Sequence, residues 1–320
     1  MFKNLIIKHN SEPRLPCTLR STMVGFRVAQ HPTWCWANNN KTMKNKKVFA
    51  LALIFALFGA FLGSKVFAAG EAKYTTNVQG KARTYLVYQP QVCKTKACPV
   101  LFMFHGLNST AVATTSSYYN WQSTADKNGF LVIYPESLTL PAKDVKWGRW
   151  IIYRNYDPAG KHWDIANISL PLAQRYNTQD IKFVNKIISE LGVKYQIQQN
   201  KIFATGHSYG AFFSYYAATC LPTKIRAFAS HSGGFISYYG FSFPISSRNA
   251  KASPYYKTPG MVLSSPKDPA VPHRYSLNLI NELKAKYQTN QLVKLADNLG
   301  HNWDATKNQA QWNFFLANSK

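Results

Sequence analysis

Residues 201–220 read KIFATGHSYGAFFSYYAATC, with the pentapeptide Gly206-His207-Ser208-Tyr209-Gly210 at their centre. A G-x-S-x-G pentapeptide alone is common, so its flanks decide its meaning. Ile202-Phe203-Ala204-Thr205 reads as a strand leading in, and Ala211 to Ala218 as a helix leading out. A sharp strand-to-helix turn holds a serine in a strained conformation, and small neighbours at the two glycine positions avoid clashes. Ser208 would then stand at a helix N-terminus, where the helix dipole favours negative charge. The alternative is a glycine-flanked turn that happens to contain serine.

The same alternation extends on both sides. Residues 82–90, 98–106, 129–136, 225–234, 260–268 and 291–297 contain short apolar runs of strand character. Between them lie amphipathic stretches. In 180–195, Ile181, Val184, Ile187, Ile188 and Leu191 recur at helical spacing, and 274–287 and 304–318 also read as helices. Strands separated by helices imply βα units and a mostly parallel sheet of about eight strands, covered on both faces. No repeat or linker divides the series, which predicts one domain over 69–320. Two stretches break the pattern. Residues 137–177 hold Trp147, Trp150, Tyr153, Tyr156 and Trp163 without clear periodicity, and 235–258 are also aromatic-rich. Long loops are often functional, so these read either as a rim over a site, with Trp147 and Trp150 against substrate, or as aromatic packing that ties the loops down.

The N-terminal region has a different character. In 43–69, Lys44, Lys46 and Lys47 precede an uncharged, mostly apolar run from Val48 to Leu62, followed by Val66-Phe67-Ala68. A basic region, an apolar region and small residues at the cleavage positions make a secretory signal peptide over 43–68. The run is short for a membrane span of about 20 residues, which argues against a stable anchor. Residues 1–42 then read as an upstream extension outside the fold, with Met43 as the initiator. The chain of 320 residues has a formal charge of +25. The basic residues after 68 are scattered singly, so a solvated basic surface is favoured over nucleic-acid binding. Export permits disulfides. Of the five cysteines, Cys93, Cys98 and Cys220 fall in the predicted domain, and any pair of the three is possible. No residue spacing suits a metal, and no cofactor is implied.

A serine hydroxyl needs a general base, and the base needs an orienting carboxylate. After a serine on such a turn, the partners follow in the order acid, then histidine. His301, in DNLGHNW (297–303), follows the last strand in a loop with a glycine. His231 comes too early, and His273 stands only five residues past the best acid candidate. Asp268 follows the strand Met261–Ser264, ahead of a helix, and is favoured as the acid over Asp297, beside the histidine itself. The backbone N–H groups of Tyr209 and Leu107 would hold an oxyanion, Leu107 because it follows the strand ending in His105-Gly106. The side chain of His105 would organise that loop, and His207 would pack beside the turn. Tyr209 and Trp303, neighbours of Ser208 and His301, would wall an apolar acyl site.

With these residues in hand, residues 80–315 resemble the exported polyhydroxybutyrate depolymerase and feruloyl esterase group of α/β-hydrolases. The resemblance rests on Phe104-His105-Gly106, Tyr134-Pro135, Asp180 to Val184, the serine pentapeptide, Asp268-Pro269-Ala270-Val271-Pro272 and Gly300-His301-Asn302-Trp303. The last two match the family's D-x-x-V-P and G-H-x-W loops. Leu107 stands where many members carry Cys. The resemblance implies the α/β-hydrolase fold and a Ser208–Asp268–His301 triad in a secreted or periplasmic serine esterase; a monomer is expected. The first substrate it suggests is a hydroxyalkanoate ester, and the second a feruloyl or acetyl ester of plant polysaccharide. A fold kept for binding without catalysis is the rival from another class, and a peptidase is a third option.

Overall fold

The computed structural model describes residues 70–141, 143–147, 150–157, 160–165, 178–234, 258–284 and 291–319. The expectations for 1–42 and 43–68, and most of 235–258, lie outside these residues. Twelve strands are described: β1 (Glu71–Val78), β2 (Lys81–Tyr88), β3 (Cys98–Phe104), β4 (Leu131–Pro135), β5 (Leu138–Leu140), β6 (Lys143–Trp147), β7 (Trp150–Asp157), β8 (Gly160–His162), β9 (Ile197–His207), β10 (Ile225–His231), β11 (Gly260–Ser264) and β12 (Gln291–Lys294). The helices are α1 (Ala111–Thr114), α2 (Trp121–Asn128), α3 (Gln179–Lys194), α4 (Tyr209–Cys220), α5 (His273–Lys284) and α6 (Asn308–Ala317).

Eight strands form one sheet in the order β1-β2-β4-β3-β9-β10-β11-β12. From β4 to β12 every neighbouring pair is parallel, while β1–β2 and β2–β4 are antiparallel. The continuous apolar runs explain the centre: all residues of β3, β4 and β11 are buried. A strand with helices on both faces has no polar side to show. Alternate residues serve two cores. Val100, Phe102 and Phe104 face a cluster with α3, α4 and α5, whereas Leu101 and Met103 face Trp121 of α2 and Trp312 and Phe315 of α6. The chain leaves β3 toward β4 on one side but continues from β9 toward β12 on the other. Such a switch opens a crevice at the carboxyl ends of the two strands. The residues after β3 and after β9 therefore meet there.

Several expectations change in detail. β1 was not foreseen, because an edge strand half-exposed to water alternates with polar residues and lacks an apolar run. It joins β2 through Gln79 and Gly80, both at positive φ (51° and 81°), which suits a two-residue hairpin. Part of the 137–177 stretch is a pair of small antiparallel ladders, β5–β8 and β6–β7, rather than an unpatterned loop. The helix expected from 304 starts at Asn308, after a short 3₁₀ turn at Ala305–Lys307. Of the three possible disulfides, Cys93–Cys98 is formed, and Cys220 lies buried outside it.

One buried ion pair ties the frame together. Arg83 of β2 donates to Asp180 of α3 at 2.7 Å, and both side chains are almost fully buried. Arg83 also donates to the carbonyl of Glu136 (3.1 Å) and lies over the Phe183 ring. The second oxygen of Asp180 accepts from Asp164 N–H at 2.7 Å. Asp180→Ala strands a buried guanidinium, so it should lower unfolding free energy by about 3–5 kcal/mol in urea denaturation. A loss below about 1 kcal/mol, the scale of an exposed pair, would show that the frame does not depend on this contact.

Candidate active site

The serine turn is built by close backbone approach. Ser208 has φ 57° and ψ −120°, between the end of β9 and the start of α4. A positive φ is costly for a residue with a Cβ and persists only where the surroundings enforce it. The surroundings here are glycines. A methyl on Gly206 would lie 2.2 Å from the carbonyl oxygen of Gly210, and one on Gly210 would lie 2.1 Å from that of Phe104. Ser208 N–H donates to the carbonyl of His231 (3.1 Å), and its own carbonyl accepts from Ala211 N–H (2.9 Å). The serine is thus pinned to β10 on one side and begins the helix on the other.

Asp268 and His301 are in direct contact, at 2.7 Å from Nδ1 to Oδ2. The carboxylate side chain is buried, while that of His301 is 25% exposed. The other oxygen, Oδ1, accepts from the N–H groups of Ala270 (2.9 Å) and Val271 (2.8 Å). The D-x-x-V segment folds back on its own carboxylate and aims Oδ2 at the imidazole. A carboxylate can only accept, so Nδ1 carries a proton, and in the neutral ring the lone pair is then on Nε2. Asp297 is 46% exposed and faces Lys294 and Lys267 instead. Asp304 accepts from Thr306 N–H in the turn before α6.

The loop after β3 lies on the serine. A methyl on Gly106 would stand 3.3 Å from Cβ and 3.8 Å from Oγ of Ser208. Leu107, next in the chain, is 38% exposed. His105 is fully buried, and its Nε2 accepts from Ser137 N–H at 3.1 Å. Its Nδ1–H therefore donates to the Gly106 carbonyl at 2.8 Å. Burial pushes the His105 pKa down, so the ring holds the loop as a neutral donor and acceptor. Asn108, at φ 56°, pairs with β8: its N–H donates to the Lys161 carbonyl (2.8 Å), and its Oδ1 accepts from Lys161 N–H (3.0 Å). Trp163 Nε1–H donates to the His105 carbonyl at 2.9 Å. Sequence reading missed Asn108, whose only signal was its place beside His105-Gly106.

Tyr209 is half-buried at the start of α4, its ring 5.1 Å from that of His162. Trp303 requires a correction. It is only 4% exposed, lies 4.2 Å from the His231 ring in stacked geometry, and donates from Nε1 to Asn308 at 3.1 Å. It supports the histidines from within the core and does not wall an acyl site. Trp147 and Trp150 pair across the β6–β7 ladder, but their side chains lie outside the described set.

Two further histidines stand beside His301. His207 stacks on it with ring centroids 4.9 Å apart, and His231 lies 5.7 Å from His207. Burial, followed by His301, pushes His207 down to about 4. Burial likewise holds His231 well below the usual range, and its Nε2 accepts from Asp304 N–H (3.1 Å). Both are neutral supports at physiological pH. Among the described residues, no group of three or more His, Cys, Asp or Glu is placed to hold a metal ion.

The chain is similar to known proteins in sequence and in fold. The signature of the phospholipase/carboxylesterase family matches residues 91–316. Two curated relatives are each 28% identical. A bifunctional acetylxylan esterase/xylanase of Neocallimastix patriciarum matches over 155 residues, covering 48% of this chain and 18% of that protein. Feruloyl esterase D of Neurospora crassa matches over 164 residues, 51% of this chain and 49% of that one. The chain thus spans at most about half the length of these relatives. A ferulic acid esterase of Anaeromyces mucronatus, solved with ferulic acid, superposes with a TM-score of 0.51 at 16% identity, covering 78% of this chain and 89% of that one. An S-formylglutathione hydrolase of Agrobacterium tumefaciens gives 0.52 at 15% identity, covering 79% and 98%. At these identities the structural likeness establishes the fold alone. The family match runs from the disulfide turn through the serine, aspartate and histidine loops into the closing helix, and the chain belongs to the phospholipase/carboxylesterase family of α/β-hydrolases.

Proposed function

We propose that this protein is a serine esterase in which Ser208, His301 and Asp268 act together. The observation that carries the reading is the 2.7 Å contact of His301 Nδ1 with Asp268 on a loop that stacks against the residue before Ser208. Ser208 Oγ attacks the ester carbonyl carbon while its proton passes to His301 Nε2. Asp268 keeps the imidazole in the Nδ1–H tautomer and stabilises the imidazolium. The carbonyl oxygen becomes an oxyanion held by the N–H groups of Leu107 and Tyr209. As the intermediate collapses, His301 gives its proton to the leaving alkoxide and an acyl-serine remains. Water, deprotonated by His301, then releases the acid and restores Ser208. The cycle consumes one water and uses no cofactor.

For substrate, the two curated relatives favour acyl esters of xylan, feruloyl or acetyl, over the hydroxyalkanoate ester that the sequence resemblance placed first. The reading extends to export. It draws on the basic, apolar and small-residue order of 43–68 and on the Cys93–Cys98 disulfide, since disulfides persist in oxidising compartments. Among the described residues, no helix is long and apolar enough to cross a membrane.

Ser208→Ala should reduce nitrophenyl acetate turnover by about 10⁴-fold or more, with the far-UV spectrum unchanged. Asp268→Asn should cost roughly 10³–10⁴-fold through the wrong tautomer, while Asp297→Asn stays within about twofold of the parent. Full turnover by Ser208→Ala would remove the nucleophile assignment. Equal losses at Asp268 and Asp297 would remove that of the acid. On a panel of methyl ferulate, acetylated xylan and hydroxybutyrate oligomers, release should be fastest from one of the first two. Preference for the oligomers would return the substrate to the hydroxyalkanoate class. N-terminal sequencing of protein recovered from the medium or periplasm should read from Ala69. Retention of an uncleaved chain in the cytoplasm would overturn export.

A further inference from the structure

We propose that Tyr118, Tyr119 and His207 form one positioning relay that fixes the main chain on both sides of His301. The inference rests on the reading of His301 as the general base and adds residues that the triad does not contain. The carbonyl of His301 accepts from His207 Nε2 at 3.0 Å. Two residues on, Trp303 N–H donates to Tyr118 Oη at 2.6 Å. The loop is therefore gripped before and after Asn302 by side chains from two other parts of the chain.

Hydrogen-bond chemistry sets the direction of the relay. A main-chain carbonyl only accepts, so His207 carries its proton on Nε2 and presents a lone pair at Nδ1. Tyr119 Oη lies 3.2 Å from that Nδ1 and must be the donor. Burial, then Tyr118, pushes the Tyr119 pKa up to about 12, which keeps the donating proton in place. Burial keeps His207 neutral, with His301 acting in the same direction and the His301 carbonyl and Asp268 opposing it. His231, Tyr119 and Trp303 complete the ring of groups around His207. The network then closes on itself. Asn308 Nδ2 donates to the Tyr119 carbonyl (2.7 Å), and its Oδ1 accepts from Trp303 Nε1 (3.1 Å).

The consequence is geometric. The Asp268 contact fixes the ring's Nδ1, but Nε2 is aimed only if the His301 backbone is also fixed. A displacement on the order of 1 Å costs about 100-fold in rate. Tyr118 is 46% exposed, an unusual place for a phenol whose hydroxyl is committed inward. Its bond to Trp303 is therefore separable from core packing.

The test compares full-length Tyr118→Phe, His207→Ala and His207→Gln, reading kcat, KM and the rate of fluorophosphonate labelling at Ser208. His207→Ala should lower kcat about 10- to 100-fold with KM within about twofold, and labelling should slow in proportion. His207→Gln can donate an amide N–H to the same carbonyl and should recover to within about fivefold of the parent. Tyr118→Phe keeps the ring and loses the acceptor, so kcat should fall about two- to tenfold. Parental kcat in both His207→Ala and Tyr118→Phe overturns the relay, as does a His207→Gln enzyme no better than His207→Ala. Should His207→Ala fail to fold, Tyr118→Phe decides: reduced kcat with unchanged KM supports the relay, and parental kcat overturns it. Failure of the parent reading is separate, because the unmodified protein would then not label at Ser208.

Discussion

A glycine at position 210 lets two backbones meet. The carbonyl oxygens of Phe104 and His105 stand where a side chain would begin, 2.1 and 2.6 Å from the place of a Cβ. This approach locks the end of β3 onto the first turn of α4. Everything at the carboxyl end of the sheet follows from it. Ser208 is driven to positive φ, Gly106 is pressed against it, and the peptide of Leu107 begins beside the serine. Asn108 and His105 then anchor that loop from the far side, to β8 and to Ser137. The strain at Ser208 is held by packing that involves no charge.

Charge is handled by a different device. The His207 ring touches those of both His231 and His301, yet of the three only His301 meets a carboxylate. His231 and His207 are buried without an anionic hydrogen-bond partner, and desolvation keeps them neutral. Environment thus gives one residue type two tasks. Two imidazoles serve as rigid hydrogen-bonding plates, and the third, partly exposed, is paired to Asp268. A second positive charge beside His301 would oppose formation of an imidazolium, so the neutrality of its neighbours matters as much as the presence of Asp268.

The legibility of these features in the sequence depended on how local their causes are. The inner strands were readable because burial on both faces demands an unbroken apolar run, as in CPVLFMF. β1 was not, since an edge strand carries no such run and is held by pairing with β2. The strand–Ser208–helix turn was readable because its glycines are forced by contacts within five residues and with β3. The sequence favoured Asp268 over Asp297 from its place after a strand, without showing either beside the histidine. The fold brings Asp268, 33 positions earlier in the chain, and not Asp297, to Nδ1 of His301. Trp303 was misread because adjacency in sequence carries no information about which way a side chain on a tight loop faces.

By itself, the sequence determined the alternation of strands and helices, the order serine, aspartate, histidine, and the glycines without which the turn cannot close. These are written in local period and residue order, although Gly210 answers to a contact with the distant end of β3. Only the tertiary structure decided which cysteines pair, which carboxylate serves the histidine, and that Tyr118 and Tyr119 reach across more than 180 residues and 88 residues to hold Trp303 and His207. Those choices rest on hydrogen bonds between distant segments. Their directions depend on the packing of the whole sheet and its helices, and no window of sequence contains both partners.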